Sequence, residues 1–426
     1  MIQTYDKNHP WNNQKEDKNL GYKLIMFFIW PFGTWLLSLL YANKRSSYVI
    51  FFLFSLLLCW HMAPTGLTDY YDDFLGIMER FNDTFFTYQD ITLQIDSYIA
   101  MDKTAPKELY ENILIWFVKN FTDNYHFYFL LCAIPVAYCQ LNSLKRITQD
   151  VRYKSASLYA LLVIILFIFP RDIITVQNPR FTTGFWICLL CSLNYYCDNK
   201  KNILRLLPIA FTPLIHSGMW LYVIIVATFC LVPKNTRILE FAAICSLPFT
   251  FIDADIIKGI DLSVYLPENL YMWSLNHFDN TSNVMVKDTR AGYWWVGTSF
   301  DIIVKCIYIY MFIMMVRKKN DINNNTEAKN FYPFFLFLLT IVNLIQCIPV
   351  LGGRYYWFIK MFTMFIWFKA FYPKYKNVVI CLLLANSWGF LQRYGYVLGG
   401  ALATNTPTDI FYAPLPYLLG KGLFWE

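Results

Sequence analysis

Charged side chains are scarce in this chain, and their scarcity excludes the commonest class of protein of its length. Of 426 residues only 15% are Asp, Glu, Lys or Arg, whereas 57% are hydrophobic and 19% aromatic. A soluble domain carries roughly 25% charged residues to solvate its surface. The composition therefore excludes a chain of two or three soluble domains and indicates an integral membrane protein. We expect no nucleic-acid partner.

Several motifs that would indicate metal, hydrolase or nucleotide-sugar chemistry are also missing. Cys188-x-x-Cys191 has the spacing of a zinc pair, but no second pair accompanies it. The 11 cysteines lie in or beside apolar stretches, which predicts small buried hydrophobic residues. No Gly-x-Ser-x-Gly elbow supports a triad of Ser217, His216 and Asp69, and no DxD-like motif occupies a cytoplasmic position. We expect neither a metal nor a cofactor.

Long apolar runs, in contrast, are abundant, and they predict the fold class. A membrane-spanning helix needs about 20 mostly apolar residues, fewer where polar ends reach the interface. That criterion gives about 12 spans in an all-α, polytopic transmembrane bundle, with residues 1–426 as a single integral membrane domain. The predicted spans are Tyr22–Tyr41, Tyr48–Met62, Tyr125–Leu141, Ser157–Phe169, Phe181–Cys197, Ile203–Leu214, Gly218–Leu231, Ile238–Ile252, Val296–Val316, Phe331–Val350, Trp357–Phe371 and Val378–Leu391.

Positive charge predicts the orientation of these spans. The stretch Ile203–Val232 is either one long helix or a hairpin with its tip at Pro213–Gly218. Counting the hairpin as two passes places every basic connector on one side, which the positive-inside rule assigns to the cytoplasm. The hairpin reading is therefore favoured. The basic residues of these connectors are Lys44, Arg45, Lys145, Arg146, Arg152, Lys154, Lys200, Lys201, Lys234, Arg237, Arg317, Lys318, Lys319, Lys374 and Lys376.

The opposite side receives the two long connectors, residues 63–124 and 253–295, which we predict to be outer loops. The first loop is rich in acidic residues. Within it, Lys107–Phe121 repeats apolar residues with helical spacing, which predicts an amphipathic helix at the outer membrane interface. The chain thus has a non-cytoplasmic face with room for a site.

Arginine is unexpectedly frequent at the predicted outer mouths of the spans. The guanidinium group matches two oxygens of a phosphate, which a lysine cannot do, so several such residues together predict a polyanion site. For any single arginine the alternative is an interfacial side chain paired with an outer carboxylate. The residues in question are Arg171, Arg180, Arg290, Arg354 and Arg393.

Two other groups on that side are candidates for proton transfer. Asp69 and Asp72 follow the second span, where a carboxylate can take a proton from a sugar hydroxyl. His216 occupies the predicted hairpin tip, between two apolar runs. The alternatives are a solvated or helix-capping acid and a buried, hydrogen-bonded histidine. Aromatic side chains such as Tyr70 and Tyr355 suit either sugar stacking or the ordinary interfacial belt.

The order of these features resembles the EpsG family of polysaccharide-synthesis membrane proteins, which is close to the Wzy-type O-antigen polymerases and similar to C-type glycosyltransferases. The resemblance covers roughly Tyr48 to Phe371. It rests on the order and membrane side of short motifs. They are Gly66-Leu-Thr-Asp-Tyr70, Asn178-Pro-Arg-Phe-Thr-Thr-Gly-Phe185, Lys200-Lys201 before the hairpin with His216-Ser217, and Gly353-Arg-Tyr-Tyr356.

This resemblance implies a glycosyltransferase that polymerises undecaprenyl-diphosphate-linked oligosaccharide units for O-antigen, capsule or exopolysaccharide. It implies a multi-pass protein of the bacterial inner membrane with its active site on the periplasmic face. A flippase and a chain-length regulator are the implied partner proteins, besides membrane lipid. An O-antigen ligase using the same donor and a lipid-linked oligosaccharide flippase or transporter are the alternatives.

The departing diphosphate needs fixed cations at the outer mouth, and the candidate residues divide into three roles. Arg180 and Arg354 are the first choices for diphosphate binding, followed by Arg171 and Arg393. Asp69 or His216 is the expected base. Asp72, Tyr70, Arg290 and Tyr355 are the expected contacts to the sugars.

Overall fold

The computed structural model describes residues 19–41, 44–61, 81, 88–100, 109–148, 179–198, 202–232, 234–251, 294–346, 348–372, 374–396 and 409–424. Every regular element within these ranges is a helix, which confirms the predicted all-α class. The α-helices in chain order are α1 (Asn19–Ile29), α2 (Pro31–Leu40), α3 (Arg45–Trp60), α4 (Tyr88–Ile99), α5 (Tyr110–Lys119), α6 (His126–Thr148), α7 (Pro179–Tyr196), α8 (Leu207–Ile215), α9 (Trp220–Leu231), α10 (Thr236–Ser246), α11 (Trp294–Arg317), α12 (Lys319–Asn323), α13 (Thr326–Ile345), α14 (Pro349–Ala370), α15 (Lys376–Tyr396) and α16 (Leu415–Phe424).

Helices long and apolar enough to cross a membrane are present among these elements. Three described segments meet both conditions, namely His126–Ile147, Ser299–Arg317 and Thr326–Ile345. Shorter apolar helices occur at α1, α3, α8, α9 and the first part of α15. These helices support membrane association, whereas the number of about 12 spans stays a prediction. Of the predicted spans, Ser157–Phe169 lies outside the described residues.

The first predicted span is wrong as a single helix. Trp30 has a non-helical backbone, φ −149° and ψ 85°, and it separates α1 from α2. The cause is Pro31, which lacks an N–H and disfavours helical geometry in the residue before it. Phe331–Val350 is also not one helix, because α13 ends at Ile345 and α14 begins at Pro349.

The stretch from Ile203 to Leu231 is broken at the predicted hairpin tip. A 3-10 turn, Ile203–Leu206, leads into α8, and a second one, Ser217–Met219, leads into α9. Between them His216 is extended, with φ −151° and ψ 120°. One continuous helix is thereby excluded, which agrees with the favoured reading.

The described residues fall into two compact units. The first contains the described residues within the ranges 1–192, 203–222 and 392–426. Within it α3 packs along α6 and against α2. An apolar core joins the first helices to the C-terminal one, and its buried members are Phe27, Ile50, Phe54, Leu57, Ala413 and Leu418. The part of α7 in this unit is buried on nearly all sides, as a core helix must be.

The second unit comprises residues 193–202 and 223–391, and α13 is its centre. This helix packs along both α14 and α10. Asn343 on α13 accepts a hydrogen bond from Thr250 and donates one to Ser246, at 3.1 Å and 2.9 Å, so its buried amide is bonded at both ends. Lys369 on α14 forms an ion pair with Glu327 at 2.7 Å, and the lysine side chain is fully buried.

The prediction that all cysteines are buried is wrong for four of them. Cys59, Cys132, Cys139, Cys188 and Cys197 are buried. The exposed ones are Cys230, Cys245, Cys306 and Cys381, which lie on apolar helices whose neighbouring surface is also apolar. A small hydrophobic residue on such a surface faces lipid as readily as protein. Apolar sequence therefore could not separate the two environments.

Candidate anion-binding site

The first turn of α7 carries Arg180, the leading candidate for diphosphate binding, and the structure pairs it with an acidic side chain. Its Nε atom lies 3.1 Å from Oε2 of Glu111 on α5. The arginine side chain is 24% exposed and the glutamate only 3%. The two side chains form an ion pair that joins α5 to α7. Arg180 is the more accessible member of the pair.

The local sequence explains why α7 begins at this point. Pro179 is its first residue, a position where the missing N–H costs nothing and the fixed φ favours a helix. Phe181, Thr182 and Thr183 then follow in buried positions, while Arg180 stays half-buried. The arginine is therefore placed by a helix whose other side chains are anchored in the core.

Glu111 lies on α5, the helix predicted from the amphipathic pattern of Lys107–Phe121. The helix is confirmed over Tyr110–Lys119. Its predicted apolar stripe is exposed at Ile113 and Phe117 and continues in the exposed Phe121 just after the helix, whereas the packed face carries Glu111 with other buried residues. The exposed stripe fits contact with lipid, and the opposite face turns the carboxylate toward α7.

Contacts on either side hold the start of α5 in place. The backbone N–H of Leu109 donates to the carbonyl of Leu214 on α8 at 3.1 Å. Asn112 donates through Nδ2 to Oε1 of Gln94 on α4 at 2.9 Å. Elements distant in sequence thus converge on the segment that carries Glu111.

Tyr110 fills the space between α5 and α7. Its hydroxyl is buried and interacts with Thr183 and Cys132. Burial raises the pKa of Tyr110 well above its ordinary value, so the phenol remains neutral at physiological pH. It adds polarity at this junction without adding charge.

His216 reaches the same end of the first unit from the break after α8. Its Nδ1 accepts a hydrogen bond from the backbone N–H of Gly218 at 2.9 Å. Its ring meets Phe181, the residue after Arg180, edge to face at 5.4 Å. Because Nδ1 is an acceptor, the neutral ring carries its proton on Nε2. This arrangement favours a donor role for His216 over the base role.

A close approach of α7 to the turn after His216 is possible because residue 184 is glycine. A Cβ atom there would lie 3.0 Å from Cγ of Met219, a fully buried residue of that turn. A larger side chain at this position would require the buried Met219 side chain to shift. Gly184 therefore helps to keep His216 near the start of this helix.

Arg354 and Tyr355 lie in the second unit, on the first two turns of α14. The sequence predicted the helix from Trp357, but it begins at Pro349, so both residues are helical. Arg354 is half-buried. Tyr355 is fully buried and packs against Phe358 with ring centroids 5.7 Å apart. This burial gives Tyr355 a core position and does not favour the predicted contact to sugars.

The remaining predicted residues receive little or no description. Arg393 lies on α15, of which the structure gives the backbone at that position. Asp69, one of the two candidate bases, lies outside the described residues, as do Tyr70, Asp72, Arg171 and Arg290.

Sequence reasoning missed Glu111 as a member of the site, although a signal was present. Glu111, Ile115 and Val118 follow one another at helical spacing and form the packed face of α5. A carboxylate among apolar residues on such a face needs a cationic partner. The sequence could have shown this need, but only the fold identifies Arg180 as the partner.

No cluster of metal-binding side chains occurs in the described ranges. The arrangement at the start of α7 can hold an anion against a guanidinium, with His216 in contact with the adjacent Phe181. Comparisons with known proteins add no further assignment, because no family model, no curated protein and no solved structure matches this chain.

Proposed function

We propose that the chain polymerises oligosaccharide units linked through diphosphate to undecaprenol, on the outer face of the bacterial cytoplasmic membrane. The observation that carries this proposal is the ion pair of Arg180 with Glu111, next to the contact of His216 with Phe181, the residue after Arg180. These groups come from α5, α7 and the break after α8, which correspond to the first outer loop, the entry to the fifth span and the hairpin tip. The resemblance in motif order supports the same activity.

The proposed reaction is a glycosyl transfer with a lipid diphosphate as leaving group. A hydroxyl of one unit attacks the anomeric carbon of the growing chain, and a new C–O bond forms. The bond from that carbon to the diphosphate breaks, and undecaprenyl diphosphate leaves with the electron pair. Asp69 accepts the hydroxyl proton in this scheme.

Charge development assigns the remaining roles. The leaving diphosphate gains negative charge as its bond breaks, so a fixed guanidinium close by stabilises the transition state. Arg180 has this role in the first unit, and Arg354, Arg171 and Arg393 are further candidates. The Nε2–H of His216 is suited to donate to a diphosphate oxygen.

The glycan ladder on a gel tests the proposal. A deletion strain is compared with the same strain carrying the wild-type gene. A ladder that collapses to a single repeat unit and is restored by the gene is the expected result. An unchanged ladder contradicts the proposal. Long undecaprenyl-linked chains would instead indicate a ligase, and units trapped inside the cell would indicate a flippase.

A further inference from the structure

We infer that Glu111 is a positioning residue, which holds the guanidinium of Arg180 in the orientation that the departing diphosphate requires. This inference rests on the proposed function. It starts from an unusual burial, since the Glu111 side chain is 3% exposed although it belongs to a short amphipathic helix. A buried carboxylate is costly unless it is paired with a cation. Arg180 supplies that cation at 3.1 Å.

The carboxylate is the fixed member of the pair. The residues around it are bonded to α8 through Leu109 and to α4 through Asn112. Tyr110 lies between Leu109 and Asn112 in the sequence, and its buried hydroxyl interacts with Thr183 on α7. Glu111 therefore has little freedom to follow a moving arginine, and the long arginine side chain adjusts to the carboxylate instead.

The exposure of the two side chains shows which one meets a ligand. An anion that approaches the pair meets Arg180, which is 24% exposed, before the almost completely covered Glu111. The carboxylate reduces the net charge at the site, so it does not serve to attract anions. Its benefit lies in geometry, because a charge held in place needs no reorganisation when the transition state forms.

This role predicts that binding and turnover respond differently to the loss of the carboxylate. Glu111→Gln keeps the size of the side chain but removes the charge that holds Arg180. Two effects on the ground-state affinity for diphosphate oppose each other. A less well oriented guanidinium weakens binding, whereas removal of the repulsive carboxylate charge strengthens it. We therefore expect the affinity to change by less than about threefold. The transition state depends on orientation, and we expect turnover to fall roughly 10- to 100-fold.

The experiment measures both quantities on the full chain. Inorganic diphosphate is titrated into protein held in phosphatidylcholine nanodiscs, and affinity is read by calorimetry. Turnover is read as the rate at which the glycan ladder appears after induction, at matched amounts of protein in the membrane. Arg180→Ala provides the reference in which binding itself is lost. Glu111→Asp keeps the charge on a shorter arm, and we expect an intermediate turnover.

The matched control is Glu327→Gln, which breaks the buried ion pair with Lys369 in the other unit. We expect it to lower the melting temperature but to leave the ladder rate and the diphosphate affinity near wild type. If Glu111→Gln does not accumulate in the membrane, Glu111→Asp is used for the test. The inference then predicts reduced turnover of this variant at unchanged affinity for diphosphate.

Two results would overturn the inference. One is a Glu111→Gln protein whose ladder rate equals that of the wild type. The other is a parallel fall in affinity, turnover and melting temperature, which would indicate a packing role only. Failure of the proposed function looks different, because the wild-type gene would then restore no ladder and the wild-type protein would bind no diphosphate.

Discussion

Arg180 shows how one residue can satisfy two interpretations of the same sequence. An outer arginine was predicted either to bind a polyanion or to pair with an outer carboxylate. It does pair with a carboxylate, Glu111, yet its side chain is still 24% exposed. A partly exposed arginine in an ion pair can still offer hydrogen bonds to an incoming phosphate group.

The planar fork of Arg180 gives the first prediction at this scale. Arg180→Lys retains a positive charge beside Glu111, so we expect the melting temperature to stay near wild type. It loses bidentate contact with the diphosphate, and the ladder should appear roughly 10-fold more slowly or worse. Arg180→Ala, measured in parallel, should be slower still. A lysine variant as fast as wild type would remove Arg180 from the site.

At the scale of elements, the junction of α13 and α14 depends on a single glycine. A Cβ atom at Gly352 would lie 2.6 Å from Cα of Gln346 and 2.7 Å from the carbonyl oxygen of Ile345. Both atoms belong to the backbone, so they cannot turn aside as a side chain would. The close crossing fixes where α14 starts and hence where Arg354 lies.

The adjacent glycine provides a matched control for a prediction at this scale. Gly352→Ala should destabilise the protein by about 2 kcal/mol, because α14 must shift away from α13. Gly353 has open space around its Cα, so Gly353→Ala should be neutral or stabilising by up to about 1 kcal/mol. The melting temperatures of the two variants test this prediction. Equal values would contradict the close backbone contact at Gly352.

The C-terminal element shows a second kind of constraint on an element's position. Asp409 is buried and accepts hydrogen bonds from Tyr412, Tyr417 and Lys421. Trp30 also donates to the carbonyl of Phe411 at 2.6 Å. The paired carboxylate fixes the turn that precedes the last helix, and the Trp30 bond ties this segment to the first helices. Sequence reasoning assigned no role to these residues.

At the scale of the whole molecule, the proposed function requires that His216 and the basic connectors lie on opposite sides of the membrane. Ser217 and Asn324 are both exposed and belong to these two predicted sides. Ser217→Cys should react in intact cells with an impermeant maleimide, above the background of the native cysteines. Asn324→Cys should react only after the membrane is opened.

The opposite labelling pattern would place the candidate site in the cytoplasm and contradict a lipid-linked donor at the outer face. Equal labelling of both positions in intact cells would contradict the assumed integrity of the membrane barrier in that preparation. Labelling of the native chain, measured in each sample, separates these outcomes.

The sequence by itself determined the helical class, the apolar helices suited to a membrane, the amphipathic helix α5 and the break at His216. These features follow from local composition, periodicity and backbone chemistry, which act over a few residues. Only the tertiary structure decided that Glu111 meets Arg180, that Tyr355 is buried and that His216 contacts Phe181. Such pairings depend on which faces of distant helices pack together, and a local pattern contains no information about the partner.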